Sequence, residues 1–357
     1  MERPSLFKVP PGAVAHVKII DTTSKINNLE AKYLMEPPIP GFKHFPELPS
    51  WSFLIESGTG CKSLFDLGVP KDWRKMAPAS IEHIGPLGWQ VEVDHDVSEI
   101  LQQNDYKLDS IDSIIWSHWH WDHIGDPSTF LVSTELVVGP GFKNNFMPGY
   151  PTKSDALLRD SYFRDREVRE IDFENGQGLQ IGDFKAIDFW GDGSFYLLDT
   201  PGHAIGHLCG LVRTTSNPDT FIFMGGDLCH HGAEIRPSEY VQIPKDLTPN
   251  PFTRALQPPC PGAAFEKVQR ARGMGLTEPF CNPATAFDLP EAIQSIRKAQ
   301  KADAEDNVLF IYAHDTTVRG VMELFPKKAN DWQNRGCREK MFWAFLGDFE
   351  EAFRQQS

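Results

Sequence analysis

Four side chains able to hold a metal ion fall within six consecutive positions, His118, His120, Asp122 and His123, in the stretch S-H-W-H-W-D-H-I-G-D from Ser117 to Asp126. In an extended or tightly turning segment alternate side chains share a face. His118 and His120 can therefore grip one cation while Asp122 and His123 turn towards a second. The spacing predicts a centre for two divalent metal ions. Imidazole and carboxylate donors suit zinc, and they also accept manganese, iron or cobalt. Two cations a few ångströms apart lower the pKa of a bridging water and polarise the carbonyl it attacks, so the chemistry expected is hydrolysis without a protein nucleophile.

Such a cluster needs a rigid element to deliver it. The apolar run from Ile111 to Trp116 reads as a buried strand, and Gly125 and Asp126 break the loop that follows. Three more strand ends carry candidate ligands. His203 follows a strand in the turn made by Pro201 and Gly202, Asp227 follows the run 221–224 and two glycines, and His314 follows the run 307–312. Delivery from strand ends to one edge is how a scaffold converges distant residues on a site.

The remaining pattern supplies such a scaffold. Ala13 to Ile20 reads as a first strand, Trp51 to Glu56 and Lys62 to Gly68 as a hairpin, and Leu136 to Gly139 as another strand. Runs at 184–189, 195–198, 207–213 and 221–224, separated by Gly, Asp, Asn or Pro, predict an antiparallel meander. Helices are predicted at 71–79, at 97–103 with Asp96 or Ser98 as cap, at 290–301, and as an amphipathic closing segment at 341–353. A loop carrying Ile84, Leu87 and Trp89 precedes the second of these, and the region 142–166 fits no single element. Residues 27–50, rich in Pro and aromatics, read as a long loop or flap outside the core.

A chain of 357 residues can bury a substantial core, and the single dispersed motif set favours one domain over 1–357. Its formal charge of -14 argues against a nucleic acid partner, whose binding is largely electrostatic. The six cysteines form no C-x-x-C pair, which excludes a zinc ribbon or redox dithiol and leaves Cys229, close to Asp227, as a packed thiol. With no apolar signal core at the start and no run long enough to span a bilayer, no membrane partner is expected and the cytoplasm is the default location. Oligomeric state stays open, a homodimer included. Trp119 and Trp121 inside the motif, with Trp51, Trp89 and Phe-rich loops, point to a small apolar or aromatic cyclic substrate.

The order H-x-H-x-D-H, then His203, Asp227 and His314, resembles the metallo-β-lactamase superfamily of hydrolases. That resemblance covers about residues 13–314 and implies an α+β fold, an αββα sandwich with two central mixed sheets flanked by helices and a dinuclear site at one sheet edge. Position by position, it implies that His118, His120 and His203 hold the first metal, Asp122, His123 and His314 the second, and that Asp227 bridges them. The aspartate at 122, the P-G-H-x-x-G-H turn from Pro201 to His207 and the A-H-D of 313–315 are most similar to the N-acyl homoserine lactonase branch, which opens lactone rings. The chain departs from that branch at His230, where a tyrosine usually helps hold the substrate carbonyl, and in the long separation of Asp227 from His314. The latter implies an inserted lid at about 228–306, beside the flap at about 27–50.

The function expected is a metal-dependent hydrolase that opens a small lactone, benzo-fused lactam or cyclic carbamate by attack of a metal-bridging hydroxide. Rings of the last two kinds occur among plant defence compounds, so detoxification is the expected role. Asp122 or a water would relay the proton, and His230 would hydrogen-bond the carbonyl. His207 reads as a supporting residue, and Asp315 as the group that orients His314. The alternatives are a thioesterase of the glyoxalase II type, which would want a basic patch that the residues after His314 lack, and a non-catalytic metal-stabilised binding protein.

Overall fold

The computed structural model describes residues 5–84, 88–175 and 178–356; Leu87, read above as part of a loop, lies outside them. Twelve strands form two sheets. The first contains β1 (His16–Asp21), β2 (Trp51–Glu56), β3 (Lys62–Phe65), β4 (Ser113–Ile115), β5 (Glu135–Val138) and β6 (Val168–Glu170), side by side in chain order. The β1–β2 and β2–β3 pairs are antiparallel and the rest parallel. The second contains β7 (Leu179–Ile181), β8 (Phe184–Asp188), β9 (Phe195–Asp199), β10 (Leu208–Thr215), β11 (Thr220–Met224) and β12 (Val308–Ile311). Strands β8 to β11 are the expected antiparallel meander, the short β7, not anticipated from sequence, extends it antiparallel to β8, and β12 joins the other edge parallel to β11.

Side-chain alternation decides the layering. Val17, Ile19, Phe53, Ile55, Ile115 and Val137 of the first sheet share a core with Phe195, Leu197, Val212, Ile222 and Leu309 of the second. Their neighbours Ile20, Leu54, Leu64, Ile114 and Leu136 point the other way, against α1 (Pro78–Ile84), α2 (Val97–Gln103) and α3 (Phe142–Phe146). On the far face of the second sheet, Tyr196, Leu198, Leu211 and Phe223 meet Ile296, Ala299 and Ala302 of a helix at Leu289–Asp303. Both sheets are thus buried on both faces, which is why their strands read as near-continuous apolar runs. The result is the expected αββα arrangement.

A further core lies outside this sandwich and corrects one expectation. Residues 27–50 are not a detached flap. They form a helical turn, Ala31–Leu34, and a short strand, Met35–Glu36, paired with Asn282–Pro283. Leu29, Ile39, Phe42, Phe45 and Leu48 then pack against Phe265 and Phe280 of the 228–306 segment and Phe345 and Phe349 near the C-terminus. With many prolines and no repeating period, the stretch could not show this in sequence. The 228–306 segment contributes α4 (Gly262–Ala271) to that core, whereas its last helix, α5 (Leu289–Asp303), is the outer layer of the sandwich itself.

Two helix boundaries also differ. Instead of a helix at 71–79 there is a 3-10 turn at Trp73–Lys75 and then α1, because Pro78 begins a new helix rather than continuing one. The closing helix is broken into α6 (Cys337–Met341), a 3-10 stretch (Ala344–Phe349) and α7 (Glu350–Gln356). Among the described residues no helix is long and apolar enough to cross a membrane.

Candidate metal centre

Strand β4 ends at Ile115, and the turn after it carries His118, His120, Asp122 and His123 to one end of the sandwich. His203 arrives on the turn between β9 and β10, Asp227 just after β11 and His314 just after β12. The fold brings all seven together in two adjoining groups. Donor atoms of His118, His120, His203 and Asp227 lie within 4.8 Å of one another, and so do those of Asp122, His123 and His314.

Asp227 stands between the groups. Its Oδ1 is 3.2 Å from both His123 Nε2 and His314 Nε2, while its Oδ2 is 3.5 Å from His203 Nε2 and 3.8 Å from His118 Nε2. His118 Nε2, His123 Nε2 and Asp227 Oδ1 are buried without hydrogen-bond partners. Buried polar atoms are ordinarily paired, so three orphans converging on one spot mark a place for a ligand. Nitrogen and carboxylate donors in two clusters suit divalent cations.

The opposite edges of the rings are held firmly. Asp66, just after β3, accepts from Ser117 N at 2.6 Å, from Ser117 Oγ at 2.7 Å and from His123 Nδ1 at 2.9 Å. Ser117 Oγ in turn lies 3.0 Å from His118 Nδ1. His314 Nδ1 donates to the Pro49 carbonyl at 2.7 Å. In each case Nδ1 is engaged on the outer edge of the ring and Nε2 faces the cluster, an orientation that such partners characteristically impose on ligating histidines. Asp315, expected to orient His314, instead accepts from Thr317 N and Oγ1 and caps a 3-10 turn. His207 supports the site as expected. Its Nδ1 faces Thr200 O at 2.9 Å and its Nε2 accepts from Asp227 N at 3.1 Å.

Electrostatics divides the cluster by its distance from carboxylates. Burial and neighbouring histidines push His118 well below the usual histidine range; burial pulls His120 to about 3, outweighing Asp227, and lowers His203 likewise. These imidazoles are neutral and free to ligate. Burial also opposes charge on His123, His314 and His230, but Asp227, with Asp66 and Asp122 beside His123 and Glu234 beside His230, reverses it, and His230 rises to about 10. Asp227 is held well below the carboxylate range despite burial by His123, His314 and His230, whereas burial raises Asp122.

His230 is buried, with Nε2 3.4 Å from Asp227 Oδ2. It lines a cavity of about 450 Å3 that reaches Asp122, His203, Asp227 and His314. Trp89, Trp119 and Trp121 line the same cavity, and the first and last are stacked at 6.1 Å. Trp51 does not; it belongs to the inter-sheet core, its Nε1 donating to Asp315 O at 2.8 Å. Cys229 is a packed thiol, pushed well up by burial. Asp66, the Pro49 carbonyl, Tyr33 and the 285–287 stretch escaped the sequence reading. Of these only Asp66, a carboxylate at a strand end like Asp227, carried a readable signal.

The family described as Metallo-beta-lactamase superfamily matches residues 45–214. Gamma-lactamase FDB1 of Fusarium pseudograminearum is 42% identical over 97% of this chain and 86% of its own length. Metallo-hydrolase mfmC of Annulohypoxylon moriforme is 39% identical over 98% and 91% respectively. Among solved structures, a variant of B. thuringiensis AiiA with N-decanoyl-L-homoserine bound at its active site superposes with a TM-score of 0.59 at 17% identity, covering 89% of this chain and 100% of that one, a likeness of fold.

Proposed function

The chain belongs to the metallo-β-lactamase superfamily and is a metal-dependent hydrolase, and from that premise we propose that it opens a small cyclic amide or cyclic ester fused to an apolar or aromatic ring. The observation that carries this reading is the pair of donor groups with orphaned atoms at the floor of an aromatic cavity. We assign His118, His120 and His203 to one cation, Asp122, His123 and His314 to the other, and Asp227 to both, with zinc as the metal. When bound, the cations would supply Lewis acidity, polarising the scissile carbonyl and making water a nucleophile near neutral pH.

The protein's own residues do the rest. Asp66, Ser117 and Pro49 hold the imidazoles with Nε2 towards the site, so little reorganisation is left for the reaction. The tryptophans exclude water around the scissile bond and give the ring a flat apolar wall. His230, turned into the cavity from beside Asp227, is placed to donate to the substrate carbonyl through Nε2. Asp122, beside the second cation's other ligands at the cavity floor, relays the proton to the departing oxygen or nitrogen. The similarity to a protein named a gamma-lactamase supports the amide, and the fold shared with AiiA is compatible with the ester.

In this reading residues 1–357 form one domain, with 228–306 covering the cavity mouth. The enzyme works in the cytoplasm, which six free cysteines support. Proton release at constant pH is the test, using lactones, benzo-fused lactams, thioesters and phosphodiesters. The expected result is opening of ring substrates alone by the metal-loaded protein, lost by at least about a thousandfold on chelation and in His118→Ala, with metal analysis showing two zinc ions per chain. Turnover of thioesters alone would replace this reading with a thioesterase.

A further inference from the structure

Phe287 is 70% exposed, more than any other of the exposed large apolar side chains among the described residues. It is nevertheless part of the wall of the cavity that ends on Asp122, Asp227 and His230. Its exposure does not come from a loose loop. Phe287 N donates to His203 O at 2.9 Å, Asp288 N donates to Gly202 O at 2.8 Å, and Asp288 caps α5 by accepting from Glu291 N at 3.1 Å. The backbone is tied to the turn that presents His203, so the place from which the side chain projects is set relative to the cluster. A phenyl group held in water at the rim of that cavity forgoes about 1.5–3 kcal/mol of burial, which a ligand ring packed on it would recover.

We propose that Phe287 is a specificity-determining residue that packs on the fused aromatic ring of the substrate and is buried when that ring binds. The inference rests on the ring-opening reading and names the part of the substrate this side chain recognises. The cavity's size supports it. About 450 Å3 falls within the roughly 300–1,000 Å3 that hold drug-sized ligands, more than a bare five-membered ring requires. Its other walls supply matching surfaces, with Trp89 stacked on Trp121 and Tyr33 set edge-on to Trp89 at 5.2 Å. Aromatic pairs add about 0.5–1.5 kcal/mol beyond area burial, enough for Phe287 to separate substrates with and without the fused ring.

The test compares γ-butyrolactone with its benzo-fused analogue, using metal-loaded wild type, Phe287→Ala and Phe287→Trp. Phe287→Ala should raise KM for the benzo-fused lactone about tenfold and leave kcat within about twofold. KM for γ-butyrolactone should move by less than about twofold. Phe287→Trp should restore the benzo-fused KM, and neither variant should lower Tm. An unchanged KM for the benzo-fused ring, or an equal rise for both lactones, would overturn the proposal. Equilibrium quenching of tryptophan fluorescence by the benzo-fused lactone gives the same comparison without turnover. If wild type opens neither these lactones nor the corresponding lactams, the ring-opening reading fails, while a matching loss of quenching in Phe287→Ala still supports the ring contact and its absence rejects it.

Discussion

His230 and Glu234 each bury one polar atom with no partner, Nδ1 and Oε1 respectively, although Nδ1 lies 3.6 Å from Glu234 Oε2. That Oε2 accepts the backbone N–H groups of His230 and His231, so Glu234 holds the turn and faces the ring at once. Glu234 thus faces the Nδ1 edge of the ring whose other side lines the cavity, and is placed to orient it. Glu234→Gln should therefore lower kcat about five- to tenfold with little change in KM, and should change nothing further in a His230→Ala background. A purely structural role would cost both backgrounds equally, so a double-mutant cycle on kcat, with Tm recorded alongside, decides between them. Glu234→Ala, which also removes the acceptor for both N–H groups, should lower Tm in either background.

At the level of elements, the site depends on how closely α5 approaches the turn that carries His203. Gly202 has a φ of +125°, and a Cβ there would sit 2.6 Å from the Glu291 carbonyl carbon and closer still to Ala292. Both effects act on one residue, so neither the helix nor the turn can yield alone. Gly202→Ala should cost about 1–3 kcal/mol of stability and loosen the His203 side of the centre. Urea denaturation and the metal content of purified protein measure the two consequences. A variant with wild-type midpoint and full metal occupancy would show that α5 does not brace this turn. Much of this level was readable beforehand. The strand runs, the cap at Asp96 and Pro290 beside the start of α5 are local signals. The break in the closing helix was not, because the apolar period of 341–353 continues through it while packing on Phe42 and Phe280 bends the chain.

Across the whole molecule, five of the six cysteines are buried and Cys61 alone is exposed. Burial pushes the Cys209 and Cys229 thiols up and Cys281 to about 12, so none of these is a thiolate at neutral pH. A thiol-exchange reagent should titrate one cysteine in the native protein and six in denaturant, and Cys61→Ser should abolish the native reaction without loss of hydrolysis. More than one reactive thiol in the native state would mean that the core around 229 or 281 opens. Cys229 lies in the layer between the second sheet and α5, whereas the core around Cys281 is where the N-terminal segment, the 228–306 segment and the C-terminal helices meet, next to the cavity side lined by Tyr33 and Leu34.

The sequence by itself determined the donor types, their order and the strands that carry them. His118 to His123 are neighbours on the chain, and His203, Asp227 and His314 each end an apolar run whose identity is local. An αββα sandwich and a hydrolytic centre follow from those signals and the resemblance they carry. Only the tertiary structure decided what surrounds the donors. Asp66 reaches His123, the Pro49 carbonyl reaches His314, and Tyr33 and Phe287 reach one cavity. Each of these meetings joins residues far apart in the chain, and no spacing or period encodes them. They exist because two sheets pack face to face and the irregular segments 27–50 and 228–306 share a core at the same end.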